Sequence, residues 1–418
     1  MAHPELMLVP GGTSPAAVTM TYAAVHKLWE FFTREEKTGQ KRGRWIIVAP
    51  RPPQECLPSV AERSNAALQG RIEHMPEGVD VIVETSGSTT GQPHLVGLSY
   101  RALVASARAT HKALGGPGRW IVALPVNHIA GLQTLVRCCV AESSPIIADM
   151  SAGFDADALA RACRTIIDGR EREPALRGYL SLVPKQLADA VEVGGELVDL
   201  LAQLDAILVG GAHIPAAVHH DAVAAGLPVV TTYGMTETGG GCVYDGRALP
   251  GVDMRIRDGR IELSGPVLME DYLDVKNGAS FVEGGRWLRT GDTGVINGTL
   301  TVYGRADDVI ISGGTNVSPA PIRHAIIDSG LAEYVEVVGL ADQTWGQIVT
   351  AVIVSDQPAK NIGAAVREAV AQECGRQVAP RVVVTVDSLP TTELGKPARA
   401  AITELAVAER AAGRAWER

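Results

Sequence analysis

Between residues 81 and 232, short β-branched runs alternate with segments of helical composition. The runs have the length of strands, and the helical segments stop at turn residues, as at Gly115-Gly116-Pro117. Because strands joined by helices pair in parallel, the alternation predicts a layered α/β domain. The predicted strands are 81–83, 120–125, 145–148, 206–209 and 229–232, and the predicted helices are 99–114, 129–141, 155–167 and 215–225.

The pattern changes after about residue 250, where short strands with frequent glycine predict a β-rich subdomain over residues 250–303. From residue 308 the chain returns to helices (321–328, 362–373) and strands (334–338, 348–354, 381–386), which predicts a small α+β unit. We therefore expect an α/β protein with a large N-terminal domain, residues 1–306, and a small C-terminal domain, residues 307–418. Residues 1–80 contain no motif that we can interpret.

Composition narrows the class of protein. The chain has 418 residues, of which 46% are apolar and 20% charged, so wholesale disorder is excluded. A net charge of −9 argues against nucleic acid as a partner. The six cysteines show no C-x-x-C spacing and are expected to be small core residues. Without an apolar run of about 20 residues or a secretion signal, we expect no membrane span and a cytoplasmic location; a homodimer stays open.

Several polar loops follow predicted strands, where ligands bind in open α/β sheets, and we expect them to share one site. The loop from residue 85 to residue 91 carries five hydroxyl groups and two glycines, which suit a phosphate, although an ordinary turn is the commoner fate of such a loop. Glu237 then offers the carboxylate that Mg²⁺ needs beside phosphates. Asp292 and Arg305 either pair with each other or cap local turns, and Lys396 is either a solvated loop lysine or a cation for a phosphate oxyanion.

Taken in order, five motifs resemble those of the adenylate-forming superfamily of acyl-CoA synthetases, peptide-synthetase adenylation domains and luciferases. The resemblance covers the chain from about residue 80 to its end. Segments 115–132 and 233–246 are similar to actinobacterial o-succinylbenzoate–CoA ligases of menaquinone biosynthesis. The five motifs are TSGSTTGQP at 85–93, YGMTE at 233–237, TGD at 290–292, GRADD at 304–308 and GK at 395–396.

This resemblance implies a two-step reaction with ATP, Mg²⁺ and coenzyme A, in which a carboxylate forms an acyl-adenylate and the CoA thiol then displaces AMP. It implies that the C-terminal domain is mobile and rotates between the two steps. The implied β- and γ-phosphate ligands are Thr85, Ser86, Gly87, Ser88, Thr89, Thr90 and Gly91, with Thr236 at the α-phosphate, Glu237 at Mg²⁺, Asp292 and Arg305 at the ribose, and Gly211, Ala212, Tyr233 and Gly234 around the nucleotide. Lys396 is the implied adenylation lysine, Asp307 the hinge, and Gly313, Gly314 and Trp345 the lining of the pantetheine tunnel.

Two further residues concern the acid substrate. His128 matches a position beside the acyl pocket, and its alternative is a histidine satisfied by backbone at a strand end. Arg137, nine residues later, matches an arginine near the succinyl carboxylate in these ligases, and its alternative is an arginine on a helix surface.

The chain departs from the family pattern in the phosphate loop, which is one hydroxyl residue longer and has His94 where the family has lysine. Since a neutral imidazole does not supply a fixed charge, we expect slower adenylation or weaker ATP binding than in relatives. Two other interpretations stay open: a benzoate-type aryl–CoA ligase, which segments 308–314 and 341–347 also resemble, and a nucleotide-binding module without catalysis.

Overall fold

The computed structural model describes nine stretches of the chain. They are residues 5–39, 46–85, 93–174, 177–275, 281–282, 286–306, 308–332, 334–391 and 397–418.

The described residues before residue 99 form a sheet with helices, although residues 1–80 contain no motif that we could interpret. Ser14 caps the long first helix by accepting a hydrogen bond from the Ala17 N–H, and Gly39 ends it with φ of 68°. The first three strands are parallel, and the fourth is antiparallel to the third. The elements are β1 (Glu5–Pro10), α1 (Pro15–Thr38), β2 (Ile46–Arg51), α2 (Ala61–Arg71), β3 (Val81–Glu84) and β4 (Leu95–Leu98).

The next stretch confirms the predicted alternation. Its seven-stranded sheet has the order β11-β10-β9-β8-β7-β5-β6, and β9, β8, β7, β5 and β6 are parallel. Helices cover it, as expected for strands buried on both faces. The elements are α3 (Tyr100–Ala113), β5 (Gly118–Val122), α4 (Ile129–Val140), β6 (Ile146–Ile147), α5 (Ala156–Gly169), β7 (Arg177–Leu182), α6 (Pro184–Val193), α7 (Gly195–Leu201), β8 (Ala206–Gly210), α8 (Ala216–Ala224), β9 (Val229–Met235), β10 (Gly240–Tyr244) and β11 (Arg247–Ala248).

The β-rich region is also present. Its strands pair in the order β12-β13-β16-β15, with β17 on β16, whereas β14 leaves this sheet and pairs antiparallel with β4. The strands are β12 (Asp253–Arg257), β13 (Arg260–Ser264), β14 (Asp271–Tyr272), β15 (Phe281–Val282), β16 (Trp287–Asn297) and β17 (Thr299–Arg305).

The C-terminal stretch has hydrophobic clusters composed only of its own residues, around Val337 and Ile402. Its sheet has the order β19-β18-β21-β22-β23, with β20 on β21. The domain boundary at 306/307 stays a prediction, since Asp307 lies outside the described residues. The elements are β18 (Ile310–Ser312), β19 (Thr315–Val317), α9 (Pro319–Asp328), β20 (Val335–Asp342), β21 (Gly346–Val354), α10 (Ala359–Cys374), β22 (Val382–Val386), α11 (Arg399–Ala411) and β23 (Trp416–Glu417).

Two expectations need correction. The polar loops do not follow strands of one sheet, because β3 belongs to the first sheet and β8 and β9 to the second. Four cysteines are buried core residues as predicted, but Cys56 and Cys374 are only half-buried. No helix within the described stretches has both the length and the apolar character needed to cross a bilayer.

Candidate active site

The arms of the predicted phosphate loop are tied together at its base. The Thr85 N–H donates to the His94 carbonyl, and the His94 N–H donates back to Thr85 Oγ1, each at 2.9 Å. The other predicted phosphate ligands, Ser86 to Gly91, lie outside the described residues. The His94 side chain points toward a carboxylate, with Nδ1 3.5 Å from Asp274 Oδ1. Thr85 and His94 therefore close the base of the loop.

Beneath this loop lies a set of paired charges, which we call the loop-base cluster: Arg51, Glu55, Arg71, Glu84 and Asp274. Glu84 accepts hydrogen bonds from both Arg51 and Arg71. Arg51 Nε also donates to Glu55 Oε2 at 2.9 Å. Arg71 Nη2 lies 3.4 Å from Asp274 Oδ2.

The loop-base cluster also holds the loop's backbone. Arg71 Nη2 donates to the Pro93 carbonyl at 2.8 Å, one residue before His94. Arg51 and Arg71 lie within residues 1–80, which contain no motif that we could interpret, and only their pairing in space reveals a role. The cluster fixes the outgoing arm of the loop.

Glu237, the predicted metal ligand, lies on a short 3₁₀ turn, Thr236–Thr238, directly after β9. Its Oε1 accepts a 2.6 Å hydrogen bond from the Tyr272 hydroxyl. Burial and the adjacent carboxylate raise the pKa of the Tyr272 phenol, so it stays protonated and donates. Thr236, predicted at the α-phosphate, is the neighbouring residue on the same turn.

The described residues contain no group of three or more His, Cys, Asp or Glu side chains that could enclose a metal ion. A single carboxylate beside a phosphate loop nonetheless fits Mg²⁺, since this ion is usually held by one or two carboxylates together with substrate phosphates and water. The second oxygen of Glu237 makes no hydrogen bond to a described residue. The carboxylate of Glu237 thus offers hard oxygen donors at the position that the YGMTE motif assigns to the metal ligand.

The predicted ribose ligands are brought together. Asp292 and Arg305 are cross-strand neighbours on β16 and β17, with Arg305 Nε 3.9 Å from Asp292 Oδ1. The Tyr233 hydroxyl donates to Asp292 Oδ2 at 2.9 Å. Burial and Asp292 raise the pKa of the Tyr233 phenol, which keeps it a donor. Of the two interpretations left open, the geometry therefore agrees with pairing between Asp292 and Arg305.

Tyr233 and Gly234 belong to β9 and not to the loop after it, because β9 extends to Met235. The extension pairs with β10, and Gly234 faces Gly241 there. A Cβ on Gly234 would lie 2.1 Å from the Gly240 carbonyl oxygen, so only glycine allows the strands to approach this closely.

Gly211 and Ala212 directly follow the C-terminal end of β8, a central strand of the second sheet. Gly211 has φ of 86°. The next residue, His213, reaches the C-terminal part of the chain, where its ring lies 5.2 Å from that of His324 on α9. The predicted nucleotide segment therefore lies where the two parts of the chain meet.

His128 is the N-cap residue of α4, and its Nε2 lies 3.4 Å from the Asn127 amide nitrogen. Further along the same helix, Arg137 is only 4% exposed, so the helix-surface alternative for this arginine is wrong. The helix therefore joins a residue at the predicted acyl pocket to a buried cation.

The surroundings of this cation form what we call the Arg137 cluster: Arg137, Trp120, His111, Tyr244 and Thr110. The Arg137 guanidinium lies 4.6 Å from the centre of the Trp120 ring, and Nη2 donates to the Tyr244 oxygen at 3.3 Å. Thr110 Oγ1 lies 2.9 Å from that same oxygen. Trp120 Nε1 donates to His111 Nε2 at 3.2 Å.

Charge in the Arg137 cluster is not balanced by the described residues. Among the described residues, Arg137 forms no ion pair with a carboxylate, and its buried Nε finds no hydrogen-bond partner. Burial lowers the pKa of the Arg137 guanidinium, and burial together with Arg137 lowers the pKa of His111 to about 4. A buried cation without an anion is costly, so the arrangement suits an anionic group supplied by a ligand.

Gly313, Gly314 and Trp345 also lie together, in the C-terminal part. The Gly313 N–H donates to the Trp345 carbonyl at 2.9 Å, and a Cβ on Gly313 would lie 2.6 Å from the Trp345 ring. The ring is 38% exposed and carries the Arg381 guanidinium 3.8 Å above it. Lys396 and Asp307, the predicted adenylation lysine and hinge, lie outside the described residues.

Comparison with known proteins places this site in a family. Residues 13–279 match the family model described as AMP-binding enzyme, and residues 327–396 match the AMP-binding enzyme C-terminal domain. A probable 2-succinylbenzoate–CoA ligase of Mycobacterium tuberculosis is 42% identical over 336 residues, covering 79% of this chain and 85% of that protein. An indoleacetate–CoA ligase of Aromatoleum aromaticum is 30% identical, covering 84% of this chain and 72% of that protein.

Solved structures share the fold. The o-succinylbenzoate CoA synthetase of Bacillus subtilis, in complex with an acyl-adenylate, has a TM-score of 0.66 at 22% identity, covering 95% of this chain and 87% of that one. ATP-bound MatB of Rhodopseudomonas palustris has a TM-score of 0.71 at 22% identity, covering 97% and 89%. The extent of the family match and the identity to the mycobacterial relative together show that the chain belongs to the AMP-binding enzyme family.

Proposed function

We propose that this enzyme joins 2-succinylbenzoate to coenzyme A at the expense of ATP, as a step of menaquinone biosynthesis. The observation that carries the choice of acid is the unbalanced positive charge of Arg137, buried on the helix that begins at His128. An acid with two carboxylates fits, since one can react with ATP while the other neutralises Arg137. The 42% identical relative bearing this name supports the same choice.

In the proposed first step, the reacting carboxylate attacks the α-phosphate of ATP and pyrophosphate leaves. Thr85 and the loop after it hold the β- and γ-phosphates, Thr236 holds the α-phosphate, and Lys396 neutralises the attacking and departing oxygens. Glu237 would hold Mg²⁺, whose charge offsets that of the phosphates. His128 lies beside the acyl group.

The nucleoside half of ATP is assigned to the cluster on β9, β16 and β17. Asp292 and Arg305 bind the ribose hydroxyls, since a carboxylate accepts and a guanidinium donates. Tyr233 orients Asp292 through the 2.9 Å hydrogen bond and, with Gly211, Ala212 and Gly234, frames the nucleotide.

In the second step the CoA sulfur attacks the acyl carbon, and AMP leaves. We propose that the C-terminal part rotates about Asp307, withdraws Lys396, and brings Gly313, Gly314 and Trp345 to the pantetheine chain. Because ATP and CoA are cytoplasmic metabolites, the reaction is proposed to occur in the cytoplasm.

The test is AMP formation by the purified protein with 2-succinylbenzoate, benzoate and a fatty acid, each with and without CoA. We expect AMP release that needs CoA for repeated turnover and a preference of at least about 10²-fold for 2-succinylbenzoate, because an unpaired buried charge costs several kcal/mol. Turnover of benzoate alone would overturn the choice of acid in favour of an aryl–CoA ligase. Absence of pyrophosphate and AMP with every acid would overturn catalysis itself.

A further inference from the structure

One short segment, residues 269–273, forms hydrogen bonds with both parts of the proposed Mg²⁺–ATP site: the turn that carries Glu237 and the strand that follows the phosphate loop. We call it the bridging segment. On one side, the Met269 N–H donates to the Glu237 carbonyl at 2.8 Å. On the other side, the Glu270 N–H donates to Gly97 and the Leu273 N–H donates to Leu95, each at 2.8 Å. Both acceptors are in β4, the strand that leaves the phosphate loop.

The side chain of Tyr272 also connects Glu237 with the base of the phosphate loop. Its hydroxyl donates to Glu237 Oε1 at 2.6 Å, and its ring lies 5.5 Å from that of His94 at the base of the loop. Its backbone is fixed opposite Val96 by pairing between β14 and β4. The backbone of Tyr272 is therefore held by pairing with β4, and its hydroxyl donates to one oxygen of Glu237.

We infer that Tyr272 is a positioning residue for the metal-binding carboxylate of Glu237, an inference that rests on the Mg²⁺ role given to Glu237 in the proposed function. A glutamate side chain loses rotamer entropy when it is fixed. The bond from Tyr272 fixes Glu237 before the metal arrives. It also engages Oε1, whereas Oε2 makes no hydrogen bond to a described residue.

The inference predicts that Tyr272 matters only when the metal is present. Loss of a hydrogen bond to a ligating group typically weakens metal affinity by roughly 10–100-fold. We therefore expect Tyr272→Phe to raise the Kd for ATP about 10-fold in saturating Mg²⁺, and to leave the Kd in EDTA unchanged. Isothermal titration calorimetry measures both constants without turnover.

Tyr22→Phe is the matched control, because it removes a hydroxyl that donates to the Ser143 carbonyl at 3.1 Å, and Ser143 is not a proposed site residue. It should leave both constants unchanged. Equal weakening of ATP binding by Tyr272→Phe with Mg²⁺ and with EDTA would overturn the inference, because Tyr272 would then shape the pocket as a whole. An unchanged Kd in Mg²⁺ would overturn it as well.

A double-mutant cycle sharpens the assignment. If Tyr272 acts through Glu237, then Tyr272→Phe should add nothing measurable to the effect of Glu237→Gln on the Mg²⁺-dependent Kd. A further tenfold loss in the double variant would contradict the inference. Since these experiments use ATP alone, a wrong choice of acid would appear as missing AMP formation and leave the effect of Tyr272→Phe in place.

Discussion

Arginines lie at the centre of both the loop-base cluster and the Arg137 cluster, but their charges are balanced in opposite ways. In the loop-base cluster, Arg51 and Arg71 share Glu84 and have further carboxylates beside them. In the Arg137 cluster, the guanidinium is more deeply buried and contacts a tyrosine hydroxyl and an indole ring, with no ion pair to a carboxylate of the described residues. Paired charges hold a loop in place, whereas an unpaired buried charge indicates a group that completes its pairing only when a ligand binds.

The largest expected effect follows from removing the unpaired charge. Arg137→Met should lower kcat/KM for 2-succinylbenzoate by about 10²–10³-fold, because a desolvated charge pair is worth roughly 2–5 kcal/mol. The same change should leave the free energy of unfolding of the unliganded protein equal or about 1 kcal/mol higher, since it removes an uncompensated buried charge. Steady-state kinetics and urea unfolding measure the two quantities.

Arg367→Met is the matched control for that variant. Arg367 is also buried, but its Nη1 donates to the Ala379 and Pro380 carbonyls at 2.7 Å. Its loss should lower the free energy of unfolding by about 1–3 kcal/mol, because the carbonyls are left unpaired, and should leave acid preference unchanged. If Arg137→Met destabilises the protein as much, Arg137 is structural and the comparison fails.

The next effect tests the paired cluster. Glu84→Gln should lower the free energy of unfolding by about 2–3 kcal/mol, because two partly buried arginines lose their shared carboxylate. Glu36→Gln provides the control, since Glu36 pairs with Arg108 at an exposed site and should cost at most about 1 kcal/mol. Equal stability of the two variants in urea would show that the loop-base cluster does not hold the loop.

The Arg137 cluster should also make the free energy of unfolding depend on pH, through His111. The pKa of His111 is lowered from 6.5 to about 4 in the folded protein, so protonation favours the unfolded chain. The stabilisation from keeping His111 neutral is complete above about pH 6.5 and is lost as the pH falls toward 4, by up to about 3 kcal/mol.

Urea unfolding at pH 7.5 and 4.5 measures this loss. His111→Gln keeps an acceptor for the Trp120 N–H and should show a smaller loss between the two pH values. Arg137→Met should also reduce the loss, because the nearby positive charge helps to lower the pKa of His111. An undiminished loss in both variants would place the acid sensitivity elsewhere.

The smallest effect concerns the loop itself. His94→Lys should lower the KM for ATP about 2–5-fold, because it restores a fixed charge near the phosphates, although Asp274 facing this position offsets part of the gain. His26→Lys on α1, where the half-exposed histidine lies beside Glu30, is the control and should leave the KM unchanged. An unchanged KM and kcat in His94→Lys would refute the expectation drawn from the loop sequence.

Short-range sequence features, such as a helix cap or a glycine turn, predicted the helices and strands that they border. Helix α3 begins after the Ser99 cap and ends before the Gly-Gly-Pro turn, within one residue of the prediction. Strand β9 was predicted to end at Thr232 but continues to Met235, because β10 pairs with the extension and supplies its hydrogen bonds. Of the first four strands only β3 was predicted, because β1 and β2 lie in residues 1–80, where we could interpret no motif, and β4 follows the loop after β3.

The sequence by itself determined the family motifs, the alternation of strands and helices, and the candidate identities of Glu237, Asp292, Arg305 and Arg137. Those features depend on residues close together in the chain. The tertiary structure decided that Arg137 is buried, that Tyr272 bonds Glu237, and that Arg71 supports the phosphate loop. The partners in these contacts are far apart in sequence, and hydrogen bonding and charge balance depend on distances that only the packed sheets and helices fix.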